Sequence, residues 1–291
     1  MKLHNIDFHT HSHLSDGILP PQQLLDRAKA AGIRTMAITD HNRICTILPQ
    51  LQSANPDIHL IHGCEVSCLH PIRPGKEVEL HVVALGFDPE SLPLQKALAQ
   101  NQPNRRPYIE AILEKLAQCG IHLGTFDELA EKHPETTHFG RMNLAASMVE
   151  KGYVSSVDEA FDVYIGAFGE RRAFVPNPLQ YVSLEEAVHA IQAAGGLPIL
   201  AHLYYYLLHE TDQHKLLSDF RSLCKGDSGM EVNYGPYSPE QRACLKALAH
   251  EYKLLPSAAS DFHGQNPTDT LEHNFSAYDH LPLLERLGIC L

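Results

Sequence analysis

The chain has 291 residues, 44% of them apolar, and its 23 basic and 35 acidic side chains give a formal charge of −12. A chain of this length buries a sizeable core, which excludes a disordered or fibrous protein. The acidic balance excludes a surface that grips nucleic acid or an anionic membrane over its whole extent, so a phosphate-bearing partner has to meet local positive charge.

Residues 3–11 alternate as a strand does, which puts Asp7, His9 and His11 on one face, and Ser15-Asp16-Gly17 breaks the run. Pro20-Pro21 opens a helix whose apolar positions Leu24, Leu25, Ala28 and Ala31 recur at helical spacing, with Gly32 as its stop. A second strand over 35–39 ends at Asp40-His41. A third over 58–63 delivers Glu65 just past its end, and a fourth over 78–87 contains His81. From about residue 91 to residue 174 the periodicity is helical and charged, which predicts a helical subdomain inserted between 1–90 and 175–291. Alternation then resumes. Ser183 and Glu186 form a capping box, the helix they open ends at Gly195-Gly196, and strands over 197–201, 230–233 and 254–259 follow. Strands alternating with helices predict a parallel sheet with helical crossovers.

Seven cysteines, Cys45, Cys64, Cys68, Cys119, Cys224, Cys244 and Cys290, are an odd number spread over a chain much larger than disulfide scaffolds, and they read as reduced thiols. The sequence starts without a secretory apolar region and has no run long enough to span a membrane, so the expected location is the cytoplasm. Twenty histidines, against no tryptophan, are the outstanding compositional feature.

Several of these histidines fall where strands end: His9 and His11, His41, His202 and His263, joined by Asp16, Glu65 and Asp261. In a parallel barrel all such ends share one face, and residues distant in sequence converge there. Imidazole and carboxylate without thiolate suit Mn²⁺, Fe²⁺ or Zn²⁺. With His81 the set exceeds the four ligands of one tetrahedral ion, so two or three ions are expected, with Glu65 bridging. The other histidines, among them His4, His13, His70, His214 and His280, read as solvated or locally satisfied, and Cys64 and Cys68 as small buried thiols.

Taken in order, Asp7-x-His9-x-His11 with Ser15-Asp16-Gly17, Thr39-Asp40-His41, Gly63-x-Glu65, His81, Ala201-His202 and Ser260-Asp261-Phe262-His263 resemble the motifs of the polymerase and histidinol phosphatase (PHP) metal-dependent phosphoesterases along essentially the whole chain. The segment Thr137-His138-Phe139-x-Arg141 is similar to the branch acting on nucleoside 3′,5′-bisphosphates and on the 5′ ends of short RNA. The resemblance implies a distorted seven-stranded (β/α) TIM-like barrel with a trinuclear centre, for which Mn²⁺ is preferred. His9, His11, Glu65 and Asp261 match one site; Asp16, His41 and His263 a second; Glu65, His81 and His202 a third. Asp7 and Asp40 are expected to orient ligands, since a metal-bound imidazole needs a partner for its other nitrogen.

The nucleophile expected is a metal-activated hydroxide, with Asp16, His41, His202 and His263 carrying the chemistry. No Gly-x-Ser-x-Gly elbow or Walker loop competes with that reading. Arg105, Arg106, His138, Arg141, Arg171 and Arg172 of the insertion are the candidates for holding the phosphate that is not cleaved.

Two departures from the family pattern stand out. Nucleotide-acting relatives usually continue the Ala-His motif with Pro-Gly-Arg, whereas this chain has Leu203-Tyr204-Tyr205-Tyr206; residues 69–76 form a longer stretch expected to be an extended turn near the site mouth. The function expected is hydrolysis of phosphate esters of small nucleotides, extending to the 5′ ends of short RNA. Alternatives left open are a phosphatase for a non-nucleotide monoester such as histidinol phosphate, a noncatalytic metal-binding module, and an amidohydrolase. No obligate protein partner and no membrane association are expected.

Overall fold

The protein is described from a computed structural model, over residues 4–101, 106–132, 139–167, 169–176, 181–265 and 268–290. In chain order, β1 (Asn5–Asp7), α1 (Pro21–Ala30), β2 (Ile33–Ile38), α2 (Leu48–Ala54), β3 (His59–Arg73) and β4 (Lys76–Leu85) are followed by helices α3 (Leu92–Gln100), α4 (Arg106–Gln118), α5 (Phe126–Glu131), α6 (Arg141–Glu150) and α7 (Val157–Glu159). A short β5 (Val182–Ser183) then leads into α8 (Leu184–Ala193), β6 (Leu197–Leu200), α9 (Glu210–Leu223), β7 (Gly229–Tyr234), α10 (Pro239–Glu251), β8 (Leu255–Ala259) and α11 (Leu281–Arg286).

Among the described residues the eight strands form one sheet in the order β1-β2-β3-β4-β6-β7-β8, with β5 beside β3. Both ends of that order are parallel, as expected from the crossover helices. The middle is not: β4 runs antiparallel to both β3 and β6, which corrects the all-parallel expectation. The reason is local. Pro74-Gly75 turns the chain directly from Arg73 to Lys76, Gly75 taking φ +74°, and a two-residue turn leaves no room for a crossover. The same hairpin absorbs residues 69–76, expected as a turn, into the strands, and Arg73 locks it to α9 through a bidentate pair with Asp212 at 2.7 and 2.6 Å.

Beyond β1, the Phe8 amide donates to Ala258 O, the Asp261 amide to His9 O and the His11 amide to Phe262 O, so the first and last strands meet around the ligand-bearing segments. Ile6, Ala37, Ile61, Val83, Ile199 and Ala258, contributed by six different strands, share one buried cluster that α11 covers through Leu283 and Leu284. A second cluster packs α3, α8, α9 and α10 against the sheet. Strand alternation divides β3 between the two sides: Cys64, Val66 and Cys68 enter the helix-covered core, while Glu65 and Ser67 line the cleft described below. Burial raises the Cys64 and Cys68 thiols, and all seven cysteines are free.

Helices α4 to α7 have a core of their own, built from Tyr108, Ile112, Leu116, Leu129, Leu144 and Met148 among others. Helix α3 lies inside the expected insertion but packs its Leu94, Ala97 and Leu98 into the sheet's core. Buried Asn101 stands where the chain leaves that core. Its amide donates to Asn42 Oδ1 at 2.8 Å and Ser67 O at 2.6 Å, and its carbonyl oxygen accepts the Val182 amide at 2.9 Å, where the chain returns. No helix among the described residues is long and apolar enough to cross a membrane.

Candidate metal centre

The sheet brings His9, His11, Asp16, His41, Glu65, His81, His202, Asp261 and His263 to one end. Three combinations of these side chains have ligand atoms within 4.8 Å of one another: His11, Asp16, His41 and His263; His9, His11 and Asp261; His41, Glu65 and His81. Local backbone geometry aims them. Gly17 lets the Asp16 loop fold back on the strand end, where a Cβ would stand 2.3 Å from His11 O. His202 and Asp261 sit in left-handed backbone, φ 25° and 56°, and Asn42 beside His41 does so at 52°; such conformations are costly for non-glycine residues and collect at functional sites.

Glu65, 1% exposed, is at the centre. Its Oε2 lies 3.3 Å from His9 Nε2 and from His11 Nε2, and Asp261 Oδ1 lies 3.3 and 3.1 Å from the same two nitrogens, which are themselves 3.0 Å apart. Four donors at about 2.0–2.1 Å around a tetrahedral ion stand about 3.3–3.4 Å apart, so this spacing fits a divalent cation. Glu65 Oε1 lies 2.8 Å from His81 Nδ1 and 3.1 Å from His202 Nε2, with those nitrogens 3.3 Å apart. Asp16 faces His263 Nε2 at 3.4 Å and His41 Nε2 at 3.5 Å, while His41 Nδ1 is 2.8 Å from Glu65 Oε2. Glu65 Oε2 and Asp16 Oδ1 are buried without a hydrogen bond, as cation-directed oxygens would be. The donor set fits divalent metal.

Charge follows the same logic. Burial alone would raise the Glu65 carboxyl, but His41, His81 and His9 hold it well below the usual range. Asp16, among His41 and His263, and Asp261, beside His9, are held down against burial in the same way. All three offer ionised oxygens to a cation.

Asp7 and Asp40 do not bond imidazole nitrogens, contrary to expectation. Each is buried against backbone instead: Asp7 accepts the His9 and Ser260 amides, and Asp40 accepts the Ser12 amide and the hydroxyls of Ser12 and Ser15. Asp40 reaches His11 only through Ser15, whose Oγ is 3.4 Å from His11 Nδ1. The carboxylate that does hold an imidazole is Glu231 on β7. His9 Nδ1–H donates to its Oε1 at 2.6 Å, which directs Nε2 to the cluster, and its Oε2 accepts the His202 amide at 2.7 Å. Tyr234, from the same strand, donates to Asp261 Oδ2 at 2.5 Å. Neither residue belongs to the motif set; the signal for Glu231 was a charged side chain between Met230 and Val232 in a buried strand, outside any motif.

The centre opens into a cleft of about 300 Å³ at the lower end of small-molecule sites. Its far wall comes from the helical segment: Gly140, Arg141, Met142 and Phe161. Of the proposed phosphate-binding side chains, Arg141 is thus brought to the site. Arg106 is turned away, bonded to Glu110 and bidentate to Asp127, and Arg172 is bonded to Glu170; both stand on exposed surface. Arg171 packs over Phe174 with its guanidinium carbon 4.3 Å from the ring centroid, outside the cleft lining. Carboxylates of α4 and α5 satisfy Arg106, while Arg172 and Arg171 find Glu170 and Phe174 in their own turn. Arg105 and His138 lie outside the described residues. His4, His70, His214 and His280 bond Thr35, Asp219, Tyr252 and Asn233 respectively, away from the centre, as locally satisfied imidazoles.

A buried cluster of imidazoles and ionised carboxylates opening into a cleft defines a metal-dependent hydrolase. The PHP domain family model matches residues 7–175, and the chain belongs to that family. It is 34% identical over 259 residues to the 5′-3′ exoribonuclease of Haemophilus influenzae, covering 88% of this chain and 89% of that one. It is 31% identical over 262 residues to the 3′,5′-nucleoside bisphosphate phosphatase of Chromobacterium violaceum, covering 89% and 87%. A solved structure described as a Chromobacterium violaceum amidohydrolase with bound sulfate superposes with a TM-score of 0.77 and 30% identity, covering 93% of this chain and 96% of that one.

Proposed function

We propose that the protein is a metal-dependent phosphoesterase that hydrolyses phosphate esters of small nucleotides, nucleoside 3′,5′-bisphosphates first among them, and 5′ ends of short RNA. The observation that carries this reading is the spacing around Glu65, whose two carboxylate oxygens face five imidazole nitrogens at 2.8–3.3 Å. In this reading His9, His11, Glu65 and Asp261 hold one divalent ion, Asp16, His41 and His263 a second, and Glu65, His81 and His202 a third, Mn²⁺ preferred. The sheet acts as a distorted seven-stranded barrel, and helices α4 to α7 form the substrate-binding insertion. The seven free thiols accord with a cytoplasmic location.

Ions held there supply a water of lowered pKa and neutralise the phosphoryl oxygens. Asp16, Glu65 and Asp261 would provide fixed negative charge that offsets the mutual repulsion of neighbouring cations. Arg141, across the cleft, offers a guanidinium to the phosphate that is not cleaved.

The test is phosphate release by Mn²⁺-reconstituted protein from adenosine 3′,5′-bisphosphate, with AMP, 5′-phosphorylated short RNA and histidinol phosphate alongside. The expected result is preferred turnover of the bisphosphate. Turnover of histidinol phosphate alone, or of no phosphate ester by protein loaded with metal, contradicts the reading.

A further inference from the structure

The tyrosines that follow His202 divide their tasks. They form a tight 3-10 turn, Leu203–Tyr206, bounded by His202 (φ 25°) and Leu207 (φ 48°). The Tyr204 amide donates to the Tyr237 hydroxyl at 3.0 Å, and that side chain packs on Tyr237. Tyr206 is pinned from two sides: its hydroxyl donates to Ala201 O at 3.0 Å and accepts the His81 amide at 3.0 Å. Both neighbours are therefore structural.

Tyr205 between them is different. It is 56% exposed and lines the cleft beside the metal-ligand cluster. Its ring is backed by Tyr234, with centroids 5.6 Å apart, and by His202 at 5.7 Å. An exposed aromatic side chain held rigid on one side and open on the other is a surface prepared for a flat ligand group, because little side-chain entropy remains to be lost when something packs on it. Phe161, Met142 and Arg141 line the same cleft from the helical segment, so a ligand held between the centre and Arg141 shares that cleft with this ring.

We propose that Tyr205 is the platform on which the nucleobase of the substrate stacks, and that it sets the preference for nucleotides over base-free phosphate esters. This rests on the nucleotide reading given above. Every base has a π-face, so a stacking platform discriminates base from no base and tolerates exchange among bases.

The experiment compares kcat/KM for adenosine 3′,5′-bisphosphate and for ribose 5-phosphate in the Mn²⁺-loaded wild type, Tyr205→Ala and Tyr205→Phe. The alanine variant is expected to lose about 10- to 100-fold more on the nucleotide than on ribose 5-phosphate, mainly through KM, a range typical of one stacked base. The phenylalanine variant keeps the ring and is expected to retain most of the nucleotide preference. Equal losses on both substrates, or no loss on the nucleotide, overturn the assignment of Tyr205 while leaving the enzyme a nucleotide phosphoesterase. A wild type inert on every nucleotide overturns the underlying reading and this inference with it.

Discussion

Replacing Glu65 with Gln is expected to lower turnover on the order of 10³-fold and to remove bound metal, because no other side chain among the described residues faces as many of the ligand nitrogens. Oε2 stands 2.8 Å from His41 Nδ1 and 3.3 Å from both His9 and His11, and Oε1 stands 2.8 Å from His81 and 3.1 Å from His202. Glutamine keeps the volume but loses the charge, and its NH₂ group must point at imidazole nitrogens that have to accept a cation. The carboxylate is ionised despite its burial, held so by His41, His81 and His9, so charge rather than shape is the property removed. Steady-state rates and metal content of the purified variant, with circular dichroism to verify folding, check this. A folded variant within about tenfold of wild-type activity would contradict the role.

Glu231→Gln is expected to weaken metal binding about 10- to 100-fold while leaving every proposed ligand in place. Glu231 accepts from two donors of different kinds, the His9 ring at 2.6 Å and the His202 backbone amide at 2.7 Å. A glutamine has one oxygen and must turn its NH₂ group toward one of them. Either His9 loses the partner that fixes its tautomer, or His202 loses the bond that steadies a left-handed backbone at φ 25°. Mn²⁺ titration of wild type and variant by calorimetry reads the change. Equal affinities would show that Glu231 only fills space.

The centre was legible in the sequence because its residues come as ordered short motifs at strand ends, and alternation along β3 and β4 alone puts Glu65 and His81 on the face shared with Ile61 and Val83. The all-parallel expectation failed at Pro74-Gly75, where two residues reverse the chain and a strand signal carries no direction. Asp7 and Asp40 looked like imidazole partners from their closeness to His9 and His41, but the amides of His9, Ser260 and Ser12 and the hydroxyls of Ser12 and Ser15 took their oxygens. Glu231 was invisible to motif reading because its two contacts are 222 and 29 residues away. The arginines of the helical segment were overcounted because acidic side chains claim them: Asp127, on the next helix, holds Arg106, and Glu170, two residues before it, holds Arg172.

The central claim is that this cluster holds divalent ions and that hydrolysis depends on them. Metal content per chain, measured by plasma mass spectrometry on Mn²⁺-reconstituted and desalted protein and paired with phosphate release from the same samples, tests it most directly. The account predicts two or three ions per chain, loss of turnover as a chelator removes them, and recovery when Mn²⁺ returns. Undiminished turnover by protein stripped of measurable metal would contradict it.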